Sequence, residues 1–461
     1  MPLPPDGDPY ARSAAWRWVA LAAALLAWTF DGVEQGVYTV VTRPALKDMV
    51  PGVREQAEEL ARVQEALGRG GESAGPAGPL RARERELRAA IDGPVSFYFG
   101  ITFAMWLWGA ALGGIVFGRL GDRHGRVKPL ALAVVTYSVF TGLSALSGHW
   151  SQLAACRFLG ALGLGGAWPL SVAIIVETWP ESRRSVLAGL MGAGANVGYL
   201  IAGTYSRAMT ACGFDWRWVL GAGAIIGLLS LPVIACLPET PRWRESMNAA
   251  RRSSLRDLFR PAYRPSTIAG SLLSTVALLG TWGSFLWFPA YVDQISEGTP
   301  SAGNARSIVL QWQSLGQIAG GFLGGLIAKW FGNKPSWRLI SLGAWISVVA
   351  LFALNREFTG RTIAMAILAG VFVTSFFGWL PKFLPELYPT SIRATGQGFA
   401  YNIGRVLTGI GVLGGGALVS VFHGDYRLGM IATASVYLLG IPAIALAPET
   451  GGRLPEERPE R

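Results

Sequence analysis

Along the chain, long apolar runs alternate with short polar connections. Twelve runs stand out, at about 16–41, 95–118, 129–147, 150–176, 186–208 and 216–237, then 267–292, 305–330, 338–354, 362–381, 396–422 and 428–447. Each approaches the ~20 residues that a helix needs to cross a hydrocarbon layer about 30 Å thick. None shows the strict period of two that marks a barrel strand, so all twelve are expected to be helices. The pattern predicts an all-α membrane protein with twelve transmembrane helices. An even number of spans places both termini on one side. Arg119, Arg123, Arg126, Lys128, Arg183 and Arg184 fall in loops on that side, which makes it cytoplasmic under the positive-inside rule.

The expected organisation is a cytoplasmic tail (1–15), a six-helix bundle (16–237), a basic cytoplasmic linker (238–265), a second six-helix bundle (266–447) and a second tail (448–461). The start of the chain reads as a tail before an uncleaved first helix, because the apolar run that follows is too long for a secretory signal. One outside loop departs from the pattern. Residues 43–94 hold "VREQAEELARVQEALGR", with apolar residues near helical spacing, then the breaker "GGESAGPAGP", then "LRARERELRAAID". This reads as a small periplasmic helical hairpin inserted into the first bundle.

Composition narrows the class. The chain is 51% hydrophobic and 15% charged, with 60 glycines, and its mean hydropathy is +0.36. Soluble domains carry about 25% charged residues. The net charge of +11 does not imply nucleic acid, since the basic residues sit in short loops between apolar runs. Cys156, Cys212 and Cys236 form neither a disulfide framework nor a metal-ligand spacing. His124, His149 and His423 are the only histidines, and no nucleophile–base pair accompanies them. An enzyme, a cofactor or a metal is therefore not expected.

The two halves repeat. "ETWPESRRSVLAG" from Glu177 aligns with "ELYPTSIRATGQG" from Glu386, matching Glu177, Pro180, Ser182, Arg184 and Gly189 to Glu386, Pro389, Ser391, Arg393 and Gly398. "LPET" at 237–240 returns as "APET" at 447–450, and "GRLGDRHGRVK" from Gly118 has an echo in "GLIAKWFGNKP" from Gly325, with Lys329 in place of Asp122. Two similar six-helix halves describe a transporter that works by alternating access.

"GRLGDRHGRVK" resembles the signature loop between the second and third helices of the major facilitator superfamily. "RFLGALGLGG" from Arg157 resembles that superfamily's fourth-helix motif, and "PETPRW" and "PETGGR" resemble the ends of the two halves in sugar porters and their organic-acid relatives. "FDGVE" is similar to the "DGxD" signature of proton symporters for aromatic acids, sialic acid and other small carboxylates, with Glu34 as the second acid, and "GFAYNIGRV" at 398–406 resembles their eleventh helix. The resemblance implies two pseudo-symmetric bundles and proton-coupled symport. The fifth helix lacks the Gly-Pro pair of drug–proton antiporters.

Candidate chemistry follows from polar residues inside apolar runs. Asp31 and Glu34 lie one turn apart on the first helix and share a face. Intramembrane acids almost always face a bundle interior or water, and two in low dielectric cannot both ionise cheaply, as proton coupling requires. Arg405, about ten residues into the eleventh segment, is the expected carboxylate ligand. Gln313, Gln317, Asn402, Trp282 and Trp379 are candidates to line the same cavity, whereas Lys382 reads as snorkelling from a helix end. A conformational gate is expected from Gly118, Asp122, Arg123, Gly125 and Arg126, with Glu177, Arg184, Glu386 and Arg393 of the repeat and Arg157 of the fourth helix. The leading expectation is a monomeric inner-membrane symporter that takes up a small organic acid or sugar-like acid, driven by the proton gradient. An uncoupled sugar or polyol facilitator, an efflux antiporter and a non-transporting membrane sensor are the alternatives.

Overall fold

The computed structural model describes residues 14–69, 77–248, 255–284, 288–296, 302–422, 426–451 and 455. The tail up to residue 13, part of the linker and most of 452–461 lie outside the described residues. Within them, all regular structure is helical.

The first half contains α1 (Ala14–Met49), α2 (Val53–Arg69), α3 (Ala77–His124), α4 (Val127–Ser144), α5 (Trp150–Thr178), α6 (Arg184–Ala211), α7 (Trp216–Leu228) and α8 (Leu231–Ala235). The linker carries α9 (Pro241–Asn248). The second half contains α10 (Arg264–Ser284), α11 (Phe288–Ser296), α12 (Ala302–Phe331), α13 (Asn333–Leu354), α14 (Gly360–Phe383), α15 (Arg393–Val421), α16 (Tyr426–Ala434) and α17 (Val436–Ala443).

Packing repeats between the halves. In the first, α3 lies on α5, α4 on α5, and α1 on α6; in the second, α12 lies on α14, α13 on α14, and α10 on α15. The halves meet along two equivalent seams, α3 against α15 and α6 against α12. The last span of each half is interrupted, between α7 and α8 at Leu229 and Ser230 and between α16 and α17 at Ser435. Among the described residues, eight helical spans are long and apolar enough to cross a membrane. The first, seventh, eighth and eleventh segments fall outside that set. Of these, α1, α12 and α15 bury Asp31, Glu34, Gln35, Gln313, Gln397, Asn402 and Arg405. Polar residues that lower the hydropathy of a span are therefore the ones the bundle interior takes up.

Helix limits differ from the apolar runs at one end of the first half. Helix α1 continues to Met49 through Pro44, and α3 begins at Ala77 and passes through Pro94 without a break. Hydropathy registers only the membrane portion, while the helical hydrogen-bond ladder runs on into the polar hairpin. In that hairpin Arg83 bonds Glu59 at 2.8 Å and Gln64 bonds Glu84 at 3.0 Å, tying α2 to the start of α3. Its base is apolar: Val53, Leu87 and Ile91 are buried, and Val53 and Ile91 join Val50, Val95 and Trp216 in one cluster.

Candidate functional site: a buried charge cluster and an interbundle clasp

Four charged side chains are buried midway along the helices: Asp31 and Glu34 on α1, Arg157 on α5 and Arg405 on α15. Their helical spacing determines which neighbours they reach. Glu34 is ion-paired with Arg157, and the same oxygen accepts a 2.9 Å bond from Thr141 Oγ1 on α4. The Arg157 guanidinium also lies over the ring of Tyr38, one turn along α1, at 4.0 Å. Asp31 accepts from Gln35 Nε2 at 3.1 Å, and Tyr199 OH on α6 donates to Gln35 Oε1 at 3.2 Å. Its second oxygen has no hydrogen-bond partner among the described residues. The charged side chains near Asp31 are Arg405, Glu34 and Arg157.

Arg405 is held from its own helix. Nη1 donates to Asn402 Oδ1 at 2.7 Å, and Asn402 Nδ2 donates to Gly398 O at 2.9 Å. The guanidinium faces Tyr401 at 5.2 Å and Trp106 at 5.8 Å, and its Nε has no hydrogen-bond partner among the described residues. Tyr401 stacks on Trp168 at 4.1 Å, while Trp282 packs against Trp106 at 6.1 Å and Phe103 at 5.6 Å. The result is a cation in an aromatic wall with an N–H to spare, in a bundle whose Asp31 carboxyl has no arginine bonded to it.

The second feature is a clasp at the end of the bundles where Arg17 and Thr450 lie. Asp122, at the end of α3, accepts from the backbone N–H of Ala394 at 3.2 Å and of Thr395 at 2.8 Å. These are unsatisfied donors of the first turn of α15, so one carboxylate from the first half caps a helix of the second. Arg126 joins the halves as well: it bonds Asp122 at 2.6 Å, Glu177 at 3.0 Å and the carbonyl of Thr390 at 2.8 Å. Burial works against the Arg126 charge, yet Glu177 and Asp122 hold its proton above the usual arginine range. Arg393 of the second half pairs with Glu177 at 3.2 Å. A Cβ on Gly118 would lie 2.7 Å from the Ala394 carbonyl oxygen, so this crossing needs glycine.

The repeat survives in three dimensions. Gly125 has φ +99° and Gly332 φ +77°, and each leads into the helix that follows. Thr240 donates to Glu177 at 2.5 Å, and its equivalent Thr450 donates to Glu386. Asn333 stands where the first half has Arg126 and donates to Glu386 at 3.0 Å. The missing cation is supplied by Lys382, which bonds Asn333 Oδ1 at 2.5 Å and lies 3.5 Å from Glu386. Lys382 therefore belongs to a buried network and is not a snorkelling side chain.

Several expectations need correction. Arg157 sits with Glu34 in the middle of the first half and not at the clasp, because it points from the interior of α5. Glu34 consequently differs from Asp31: it is half of an ion pair. Trp379 is fully buried in the core of the second half, donating to Ser336 Oγ at 2.9 Å and packing on Trp337 at 4.6 Å, so it lines no central cavity. Gln313 and Gln317 lie where α12 crosses α14 at Gly370, and the Gln313 side-chain oxygen has no hydrogen-bond partner among the described residues. Arg123 is exposed beside the clasp, since the helix turns it outward. Arg184 is buried at the seam near Arg242, Glu181 and Glu386, with Nε and Nη1 unpartnered among the described residues. Tyr38, Trp106, Thr141, Trp168, Gln35 and Tyr199 escaped the sequence reading. Only Gln35 and Tyr38 carried a signal, each lying one turn beyond an acid.

A polytopic helical bundle with two repeated halves, a central charge cluster and a clasp across one end is a membrane transporter and not an enzyme. The Major Facilitator Superfamily profile matches residues 89–356, and the chain belongs to that family. It is 28% identical to a gallate transporter of Pseudomonas putida over 76% of this chain and 82% of that one. It is 25% identical to the sialic acid transporter NanX of Escherichia coli, over 69% of this chain and 76% of that one, and 25% identical to a cis,cis-muconate transport protein of Acinetobacter baylyi, over 75% and 84%. Among solved structures, the proton:xylose symporter XylE bound to 6-bromo-6-deoxy-D-glucose superposes with a TM-score of 0.71, covering 96% of this chain and 98% of that one at 17% identity.

Proposed function

We propose that this transporter takes up a small organic acid together with a proton, by alternating access in an inner membrane with both termini cytoplasmic. The observation that carries the reading is the pairing of a free guanidinium N–H on Arg405 with a nearby carboxyl group, Asp31, that no arginine neutralises by direct contact. A buried cation is costly without an anion, so a carboxylate substrate is attracted to Arg405. When it binds, the field that favours ionised Asp31 is shared with the substrate, and Asp31 takes up a proton. Glu34 keeps its contact with Arg157 throughout. The clasp closes the cytoplasmic end in this state, and breaking it would open the site to the cell interior. The relatives' names, which include gallate, sialic acid and muconate transporters, support an acid over a neutral sugar. No cofactor enters this scheme.

The test is uptake of labelled carboxylates and sugars by purified protein in liposomes, with and without an imposed pH gradient. Asp31→Asn should keep exchange of internal for external acid but lose accumulation driven by the gradient. Wild-type accumulation by this variant would overturn the assignment of the proton to Asp31.

A further inference from the structure

The four mid-membrane charges cancel when Asp31 is ionised: two acids on α1 face one arginine on α5 and one on α15. The other charged side chains buried among the described residues belong to the clasp end and the linker beside it. The remaining titratable groups around Asp31 are phenols, which ordinarily ionise only near pH 10: Tyr137 of α4 donates to Ala27 O, Tyr199 of α6 donates to Gln35, and Tyr401 of α15 lies beside Arg405.

We infer that this charge balance itself sets the coupling ratio, so that one proton and one monoanionic carboxylate move together and no net charge crosses the membrane in a cycle. The inference rests on the organic-acid reading above. Its argument is a comparison of four states. The empty carrier with ionised Asp31 is neutral inside, and so is the carrier holding both the proton and a monoanion. A carrier with the proton alone has one uncompensated positive charge, and a carrier with the anion alone has one negative charge. Rearranging helices around an uncompensated charge in low dielectric is costly, so the two half-loaded forms do not complete the crossing. Leak of protons or of substrate is suppressed by electrostatics, with no separate interlock. A dianion would leave the doubly loaded form negative, so the site selects substrates with one ionised carboxylate.

Glu34 acquires a definite role in this scheme. It touches neither substrate nor the transported proton, yet it sets the zero from which the balance is counted. Removing its charge makes the anion-only form neutral. Glu34→Gln should therefore exchange carboxylate without requiring a proton, and its uptake should become sensitive to voltage.

The experiment uses the full-length protein in liposomes, with a pH gradient and a potassium diffusion potential imposed separately. Gallate and nicotinate serve as monocarboxylate probes and cis,cis-muconate as a dicarboxylate. For wild type, accumulation of a transported monocarboxylate should rise tenfold per unit of pH gradient and stay unchanged at 100 mV. A ratio of two protons per anion would add about fiftyfold per 100 mV, since one charge across that voltage is worth that factor. Voltage-dependent accumulation of a monocarboxylate, or muconate transport as efficient as gallate transport, overturns the charge-balance inference and leaves the organic-acid reading standing. Failure to transport any acid, with sugar uptake in its place, overturns both. The wild-type voltage test stands whether or not Glu34→Gln folds.

Discussion

Arg157 and Glu34 form a buried ion pair between α5 and α1, while Asp31, one turn before Glu34, is bonded to an amide. Two acids that look alike in the sequence thus stand in different electrostatic positions. Thr141 reinforces the distinction by donating to the oxygen of Glu34 that Arg157 already holds. One acid is held by an arginine, and the other is held only by an amide. Four expected outcomes follow from this geometry and from the clasp.

Arg405→Lys should weaken carboxylate binding by roughly 10- to 100-fold, the range of one lost charge-assisted hydrogen bond of about 1.5–3 kcal/mol. The ammonium keeps the charge but lacks the planar fork that Asn402 orients and that Trp106 and Tyr401 flank. Half-saturation in counterflow measures the effect, and unchanged affinity would remove Arg405 from the binding site.

Asp122→Ala removes the carboxylate that caps α15 from the opposite half. A lost cap costs about 1 kcal/mol, and the uncompensated Arg126 adds to it, so the closed clasp should be less populated. A cysteine introduced at Ala394, buried at the seam against the first half, should then react faster with an impermeant thiol reagent applied from the clasp end. Equal labelling rates in the two backgrounds would show that Asp122 does not hold this end shut.

Trp379→Phe should lower the melting temperature, because it deletes the bond to Ser336 and part of a fully buried aromatic stack. The expected loss is about 1–3 kcal/mol, and the half-saturation for substrate should be unaltered. A change in substrate selectivity without a change in stability would return Trp379 to the cavity.

Shortening the hairpin by replacing residues 61–84 with a Gly/Ser bridge should preserve folding and transport, since the side-chain contacts it removes include exposed ion pairs worth little each, while Ala57 and Leu60 stay packed on the apolar base. Extending the deletion through Ile91 should destabilise the protein, because Val53 and Ile91 anchor an apolar cluster with Trp216. Detergent melting curves of the two deletions should differ accordingly. Identical curves would show that the base of the hairpin contributes nothing.

The sequence by itself determined the class, the helix count and the repeat. A membrane span must satisfy its backbone internally and bury about twenty apolar residues, so hydropathy marks where helices cross, though not how far α1 and α3 run on into the hairpin. The pairing of Glu177 with Glu386 and of Thr240 with Thr450 was equally visible, because repeated halves carry repeated letters. What the sequence left open is which side chains meet across helices. Asp31 and Glu34 lie on one face of α1, and local spacing treats them alike. They became distinct only when α4 and α5 brought Thr141 and Arg157 to one acid and α6 aligned Tyr199 with the amide beside the other. Trp379 and Trp106 are both tryptophans in apolar runs, and tertiary packing alone put one in a core and the other beside Arg405. The aligned repeat already shows Asn333 in place of Arg126, but that Lys382 supplies the missing cation is visible only in the folded bundle. Burial energies depend on local composition and can be read along the chain; ion pairs depend on distances between elements far apart in sequence, which only the folded bundle sets.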